Sequence, residues 1–200
     1  MNIEEIHTFG LDSKNRIIYL NGEDLVDEQE PGVDYRMSSK FIKNLNILQF
    51  NSNDPIFIHM NTMGGEWSYG MAIFDALNAS PCHITIIAYS WARSMSSIIL
   101  QAADHRILMP NSSFMVHWGT TSEDGHYLAV KSSIEFTAKT EKTMLDIYAK
   151  KCLNGNYFKN KNMTYQQVCD FITEKIEKKS DWWLTSEEAV DFGFADCVGV

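Results

Sequence analysis

Three side chains in this sequence have the types that acyl transfer requires: Ser94, His117 and Asp181. Such chemistry needs a nucleophile, a base that takes its proton, a group that orients the base, and donors for the oxyanion. The glycine pair Gly64-Gly65 would let a substrate approach the backbone closely, so an N–H there could be one of these donors. Together these residues are candidates for a hydrolytic site.

Each of these residues also has a more ordinary explanation, and that explanation is the commoner one. A serine before a helix is usually an N-cap. A lone histidine at the end of a strand is more often a packed or capping side chain. An aspartate in a loop is more often a solvated turn residue, and glycine pairs commonly serve only the turn. Composition and spacing alone therefore indicate an α/β domain that could be a hydrolase.

The stretch around Ser94 has the pattern of a strand that turns into a helix. Residues 84–89 are apolar and β-type, and residues 98–103 form a second apolar run with helical character. At such a turn a hydroxyl can project into a cleft, and the first N–H groups of the helix have no partner inside it. Those N–H groups can bind the negative oxygen that forms when a carbonyl is attacked.

The elements that must position these residues alternate between strand and helix, with no linker or repeat, which predicts a single α/β domain over residues 1–200 with a substantially parallel sheet. Loops or turns are predicted over 23–37 and 120–125. We predict strands at 16–20, 56–60, 84–89, 105–109 and 113–118. We predict helices through 41–48 (capped by Ser38 or Ser39), 71–77, after Ser94, over 127–152, from Thr164 and from Thr185 to the Gly193 cap.

The longest predicted helix, over 127–152, has an apolar stripe through Ile134, Ala138, Leu145 and Tyr148. Such a stripe needs a partner. Most amphipathic helices pack it on their own domain, and the alternative is a second copy of the chain.

Four blocks, in this order, resemble the ClpP family, the proteolytic subunit of the ATP-dependent Clp protease, a serine peptidase. They are Asn61-Thr-Met-Gly-Gly65, Ala92-Arg-Ser-Met95, residues 110–117 and residues 181–196. The resemblance implies a catalytic triad of Ser94, His117 and Asp181, with the backbone N–H groups of Gly65 and Met95 as oxyanion donors.

The resemblance also implies a fold, an assembly and partners. The fold would be the ClpP/crotonase-like spiral of β-β-α units, with a protruding handle helix in a region of about 119–160. Two heptameric rings would stack through the handles into a tetradecamer, a closed barrel that degrades polypeptides. A separate AAA+ unfoldase would spend ATP, since the chain has no Walker-type P-loop. We expect no metal and no cofactor.

The sequence departs from the family pattern close to the nucleophile. Arg93 stands where a small residue is usual, Ser96 where a glycine is usual, and Thr62-Met63 precede the glycine pair in place of Ser-Pro. Gly64 and Arg93 are therefore candidates for the substrate groove. We expect Arg93 to pair with an acidic side chain, because an unpaired buried guanidinium is costly.

Composition excludes several other classes of protein. The net charge of -9 argues against binding to nucleic acid or anionic membranes. The N-terminus is acidic and has no apolar signal-peptide core, and no apolar run is long enough to span a bilayer. The four cysteines are scattered without a CxxC pair, which favours a reducing cytoplasm.

Three rival interpretations remain besides the peptidase. A crotonase-like acyl-CoA enzyme would use the oxyanion hole without a serine triad, and a non-catalytic ring subunit would only complete a barrel. A plain structural α/β domain is the third, and the ordered blocks argue against it.

Overall fold

The computed structural model describes residues 2–22, 31–120 and 122–200. Its helices are α1 (Ile3–Phe9), α2 (Tyr35–Asn51), α3 (Trp67–Asn78), α4 (Met95–Leu100), α5 (Tyr127–Cys152), α6 (Asn156–Asn160), α7 (Tyr165–Lys179) and α8 (Ser186–Phe192). Its strands are β1 (Leu11–Asp12), β2 (Ile17–Asn21), β3 (Ile56–Thr62), β4 (Ile84–Arg93), β5 (His105–Leu108), β6 (Ser113–Val116), β7 (Trp182–Thr185) and β8 (Cys197–Val198).

The strands form one mixed sheet with the order β1-β2-β3-β4-β5-β8, and β6 and β7 branch from it. The pairs along β2-β3-β4-β5-β8 are parallel, and so is β4 with β6. The pairs β1-β2 and β6-β7 are antiparallel. The predicted α/β class with a substantially parallel sheet is confirmed.

Strand β4 changes its partner halfway along its length, and this change creates the branch. Residues Thr85 to Ala88 pair with β5, whereas Trp91 to Arg93 pair with β6. Ser90 lies between the two pairings with a positive φ of 46°, and the register between β3 and β4 shifts at the same level. The second half of β4 therefore leads away from the main sheet, toward the small unit formed by β6 and β7.

Apolar residues on one face of the central strands make most of the sheet's contribution to the core. Strand β3 alternates buried and more exposed residues, with Ile56, Ile58 and Met60 fully buried. All six residues of α4 are buried, so this short helix is packed on every side. A helix that begins directly after Ser94 is thus held by its surroundings, although six residues would be too few to form a stable helix in isolation.

Helix α5 is buried only in its C-terminal half. Met144, Tyr148, Ala149 and Cys152 are buried, and Leu145 packs partly against the core. In the N-terminal half Tyr127, Leu128, Ile134 and Phe136 are exposed at 73%, 64%, 55% and 59%. The predicted span of the helix, 127–152, is confirmed. Of the predicted apolar stripe, only the C-terminal part packs on its own chain, and the N-terminal part is exposed.

The start of α2 differs from the prediction. The helix begins at Tyr35 and not after Ser38 or Ser39, because the Asp34 carboxylate caps it by accepting a hydrogen bond of 2.9 Å from the Met37 N–H. The loop predicted over 23–37 is therefore too long at its C-terminal end, and its residues 23–30 lie outside the described residues. In the turn predicted over 120–125, residue 121 also lies outside them.

Short elements were missed by the prediction, whereas helix caps were predicted well. Strands β1 and β8 have two residues each, too few for a periodic pattern. Helix α1 and strand β7 were also missed, although they are as long as α8 and β5. The capping boxes at Thr164 and Thr185 both form, and Gly193 ends α8 with φ 83°. No helix in the described part of the chain is long and apolar enough to cross a membrane.

Candidate active site

Ser94 occupies the sharp turn between β4 and α4, with the strained backbone angles φ 51° and ψ -131°. A non-glycine residue rarely adopts a positive φ, and such strain persists only where the surroundings impose it. The Ser94 side chain makes no capping hydrogen bond to α4. The ordinary explanation of this serine as a helix cap is therefore wrong, and its hydroxyl is free for another partner.

Hydrogen bonds from the first turn of α4 hold the Ser94 backbone in this conformation. The Ser97 hydroxyl donates to the Ser94 carbonyl at 2.6 Å, and the Tyr148 hydroxyl lies 2.7 Å from the same Ser97 oxygen. Burial raises the pKa of Tyr148 above its ordinary value, so its hydroxyl keeps its proton and can donate to Ser97. One residue earlier, Ser96 Oγ accepts from the Arg93 N–H at 2.9 Å and donates to the Arg93 carbonyl at 2.7 Å.

His117 and Asp181 meet because β6 and β7 run antiparallel. Val116 pairs with Trp182, so the next residue of β6 and the preceding residue of β7 face each other. His117 Nε2 lies 2.9 Å from Ser94 Oγ, and His117 Nδ1 lies 3.2 Å from Asp181 Oδ1. The His117 side chain is 19% exposed, whereas that of Asp181 is 47% exposed. The structure thus brings all three predicted triad residues into one continuous chain of contacts.

The glycine pair packs directly against the turn that carries Ser94. Gly64 has φ +99°, and a Cβ built on it would lie 2.7 Å from the Arg93 carbonyl oxygen, 2.8 Å from Ser94 Cβ and 2.9 Å from the Met95 nitrogen. Gly65 has φ +153° and forms a parallel bridge with Val33. A side chain at Gly64 would therefore collide with this turn.

The two predicted oxyanion donors are free in the described part of the chain. The bridge uses the Gly64 carbonyl and the Glu66 N–H, which bond to Val33 at 2.7 Å and 2.9 Å. The N–H of Gly65 is not among these bonds. The N–H of Met95 is in the first turn of α4, where a helix offers no internal acceptor. Both N–H groups border the same cleft as Ser94 and His117.

This cleft has a volume of about 840 Å³. The glycine segment, the Ser94 turn and the residues after β6 form one wall, and helix α5 forms the other. Its lining from α5 consists of Thr137, Thr140, Glu141 and Met144. These four residues were missed from the sequence because the helical pattern alone does not show which neighbour α5 faces. Gly64 and Arg93, the two predicted groove residues, both line the cleft.

The partner predicted for Arg93 is wrong. Its guanidinium carbon lies 4.3 Å from the centroid of the Trp91 ring and 5.9 Å from that of Trp183, and it forms no ion pair within the described residues. Trp91 is two residues earlier on β4, so the two side chains lie on the same side of the strand. Stacking of this kind contributes about 0.5–2 kcal/mol and supports a guanidinium that is not buried enough to require a carboxylate.

Histidine, cysteine and carboxylate residues do not gather into a group of three that could hold a metal ion anywhere in the described ranges. A serine with an adjacent imidazole, and a carboxylate behind the imidazole, can make an activated alkoxide nucleophile.

The protein-family comparison matches residues 13–200 to a model described as Clp protease. A relative named ATP-dependent Clp protease proteolytic subunit from Streptococcus gordonii is 29% identical over 188 residues, which is 92% of this chain and 84% of the relative. A relative of the same name from Deinococcus radiodurans is 27% identical and covers 83% of this chain and 76% of its own length.

Solved structures include a ClpP1 mutant from Listeria monocytogenes with a TM-score of 0.73, at 20% identity and over 94% of this chain and 92% of that one. This similarity shows that the two chains share a fold. The relatives are named as proteolytic subunits, and the family model is itself described as a protease. Since the family model covers nearly the whole sequence, the chain belongs to the Clp protease family.

Proposed function

We propose that this chain is a serine endopeptidase in which Ser94, His117 and Asp181 form the catalytic triad. The contact of 2.9 Å between His117 Nε2 and Ser94 Oγ, at a strained turn where Ser94 does not act as a cap, is the observation that supports it best. His117 removes the hydroxyl proton as Ser94 Oγ attacks the peptide carbonyl. Asp181 keeps Nδ1 of His117 protonated and stabilises the imidazolium that forms.

The oxyanion of the tetrahedral intermediate is bound by the backbone N–H groups of Gly65 and Met95, each of which lowers the barrier by about 3 kcal/mol. His117 then gives its proton to the leaving amine, and the C–N bond breaks to leave an ester on Ser94. Water, deprotonated by His117, attacks this ester, and the acid product leaves with Ser94 restored. The residues of the site carry out these steps, and no cofactor takes part.

Gly64 and Arg93 are proposed to form the groove that holds the substrate backbone beside Ser94. Gly64 is there because any side chain would collide with the turn of the nucleophile. One edge of the glycine segment bonds to Val33, and the other edge, which carries the Gly65 N–H, is left for an extended peptide. A peptide can pair with such an edge through main-chain hydrogen bonds, and this pairing does not depend on the sequence of the peptide.

We also propose an assembly, for which the exposed apolar half of α5 is the support. Tyr127, Leu128, Ile134 and Phe136 would lie in water in a monomer, and burying each would contribute about 1.5–3 kcal/mol. A single domain over residues 1–200, with a handle of about 119–160, would stack through this half of α5. Two heptameric rings would then make a tetradecamer.

Relatives of this chain are named as proteolytic subunits of an ATP-dependent protease. On that similarity we propose that an AAA+ unfoldase supplies unfolded polypeptides to the barrel, and that the enzyme works in the cytoplasm.

The proposal is tested by labelling and cleavage on the purified full chain. A fluorophosphonate should label the wild type at Ser94, and a fluorogenic peptide should be cleaved. Ser94→Ala should remove both signals, whereas Ser132→Ala, an exposed serine of α5, should retain both. Cleavage that persists in Ser94→Ala would show that the site is wrongly assigned. A folded wild type without labelling or cleavage would favour a non-catalytic ring subunit.

A further inference from the structure

Arg93 is held in a fixed orientation at the edge of the cleft. Its guanidinium stacks on Trp91 at 4.3 Å and approaches Trp183 at 5.9 Å, and the two indoles meet edge to face with centroids 6.4 Å apart. A stacked guanidinium presents its face to the ring and keeps its N–H donors in the outer plane. The indoles of Trp91 on β4 and Trp183 on β7 therefore hold the guanidinium of Arg93 beside the cleft that contains Ser94.

The side-chain donors of Arg93 are unused in the described part of the chain. Arg16 shows the opposite: its guanidinium donates to the carbonyls of Leu48 at 2.9 Å and Ser52 at 3.0 Å, among others. Arg106 likewise donates to Gln101 and to Asp196. Apart from its strand pairing, the hydrogen bonds of Arg93 with the residues that the structure describes are those of its backbone with Ser96. An oriented guanidinium with free donors has the geometry that binds a carboxylate through two parallel hydrogen bonds.

The sheet register, continued one residue beyond β6 and β7, places Arg93 on the same face as His117 and Asp181. Arg93 pairs with Met115 on β6, and Met115 pairs with Trp183 on β7. His117 is two residues beyond Met115, and Asp181 two residues before Trp183. Side chains two apart on a strand share a face and are about 6.6 Å apart along it. A peptide that passes Ser94 in an extended form would therefore reach Arg93 within a few residues of the scissile bond.

Two carboxylates, Glu66 and Glu141, also line the cleft, but neither forms an ion pair with Arg93. Their negative charges repel acidic substrate side chains elsewhere in the cleft. Arg93 therefore attracts a substrate carboxylate only in its immediate surroundings. A preference for a carboxylate is then expected at one position of the substrate and not along its whole length.

We propose that Arg93, supported by Trp91 and Trp183, is a carboxylate-binding subsite that selects peptides with an acidic side chain near the scissile bond. This inference rests on the peptidase function proposed above. The family pattern has a small residue at the position of Arg93, so the subsite is a property of this chain. A free C-terminal carboxylate of a short peptide offers the same chemistry.

The test is a set of fluorogenic peptides, amidated at the C-terminus, in which one glutamate or one glutamine is moved through each position around the cleavage site. We expect the wild type to favour glutamate about fivefold in kcat/KM at one position, mainly through KM, and less as salt rises. Arg93→Met, which keeps a long side chain but removes the charge, should abolish the preference. Lys161→Met is the matched control, since Lys161 stacks on Tyr157 at 3.8 Å outside the cleft, and it should keep the preference.

Two further measurements complete the test. Peptides that end in a free carboxylate are compared with their amides. If Arg93 is needed for a preference for the free carboxylate, but glutamate and glutamine peptides are cleaved equally, the subsite binds a peptide terminus. Binding of the glutamate and glutamine peptides to Ser94→Ala is measured by calorimetry, which tests the subsite even if the wild type cleaves nothing. Equal affinity for both peptides at every position, or a preference that Arg93→Met retains, would overturn the subsite.

Discussion

The hydroxyl of Tyr148, in the buried half of α5, lies 2.7 Å from Oγ of Ser97, three residues after the proposed nucleophile. Ser97 in turn donates to the Ser94 carbonyl at 2.6 Å. Helix α5 is thus connected to the strained turn by two hydrogen bonds, and it also forms one wall of the cleft. The long helix contacts the catalytic machinery directly, in addition to lying between His117 and Asp181 in the sequence.

Tyr148→Phe should therefore weaken both stability and activity. Loss of this hydrogen bond is expected to cost about 1–2 kcal/mol in the free energy of unfolding, because Ser97 and Tyr148 are both buried. A looser turn should also slow labelling of Ser94 by a fluorophosphonate. The measurements are urea denaturation and the labelling rate. Tyr165→Phe, whose exposed hydroxyl contacts Asp146 of α5 at 2.5 Å, is the control. Equal labelling rates for both variants would contradict a role for Tyr148 at the turn.

The sequence predicted the parts of this site that depend on residue type, but not the parts that depend on packing. The triad residues and the glycine pair were found from their chemistry and from the family resemblance, and the capping boxes from local pattern. Ser97 and Tyr148 were not found, because their hydrogen bond joins residues 51 positions apart and has no local signal. Arg93 was assigned to the groove, but Trp183, one of the two indoles beside its guanidinium, comes from β7, and the pairing of β7 with β6 has no local signal.

Asp181→Asn should lower kcat on a fluorogenic peptide by at least about a hundredfold while KM changes little, because the amide favours the wrong tautomer of His117. Asp181 is 47% exposed, so water can replace part of its effect, and the loss should be smaller than for a fully buried carboxylate. Asp170→Asn, at an exposed position of α7, is the control. A kcat within twofold of the wild type would exclude Asp181 as the orienting group.

Gly64→Ala should abolish activity and destabilise the chain, because the new methyl group would come within 3.0 Å of three atoms of the Ser94 turn. The positive φ adds about 1–2 kcal/mol of strain. Gly125→Ala separates the two effects, since φ is +140° there and a Cβ would meet nothing within 4 Å. Gly125→Ala should lower the unfolding temperature but keep fluorophosphonate labelling. Gly64→Ala should lower the unfolding temperature and lose the labelling. Unchanged labelling in Gly64→Ala would contradict the close packing.

The ion pair between Arg106 and Asp196 should make stability fall in acid. Burial raises the pKa of Asp196, but hydrogen bonds and charge from Arg106 outweigh burial and lower it below 3.8. A carboxylate with a lowered pKa stabilises the fold above its unfolded pKa, and this contribution is lost as pH falls through the folded pKa. Asp196→Asn should be less stable than the wild type at pH 7, by about 1–3 kcal/mol. The difference should shrink below about pH 4. Chemical denaturation across this pH range measures it, and a difference independent of pH would contradict the assignment.

Activity should depend on assembly through α5. A charge on its exposed apolar half, Ile134→Asp or Phe136→Asp, should prevent stacking, because a desolvated carboxylate there would have no partner. Leu145 is unsuitable because it packs against its own core. Ser132→Asp is the charge control for Ile134→Asp, because Ser132 is exposed and lies about 200° from Ile134 around the helix. Loss of stacking should displace Thr137 to Met144 along the cleft and loosen the Tyr148 contact, and a displacement of about 1 Å can reduce the rate about a hundredfold. Light scattering and peptide cleavage are measured on the same sample. If the particles fall to single rings or monomers while cleavage per subunit stays unchanged, assembly and catalysis are independent.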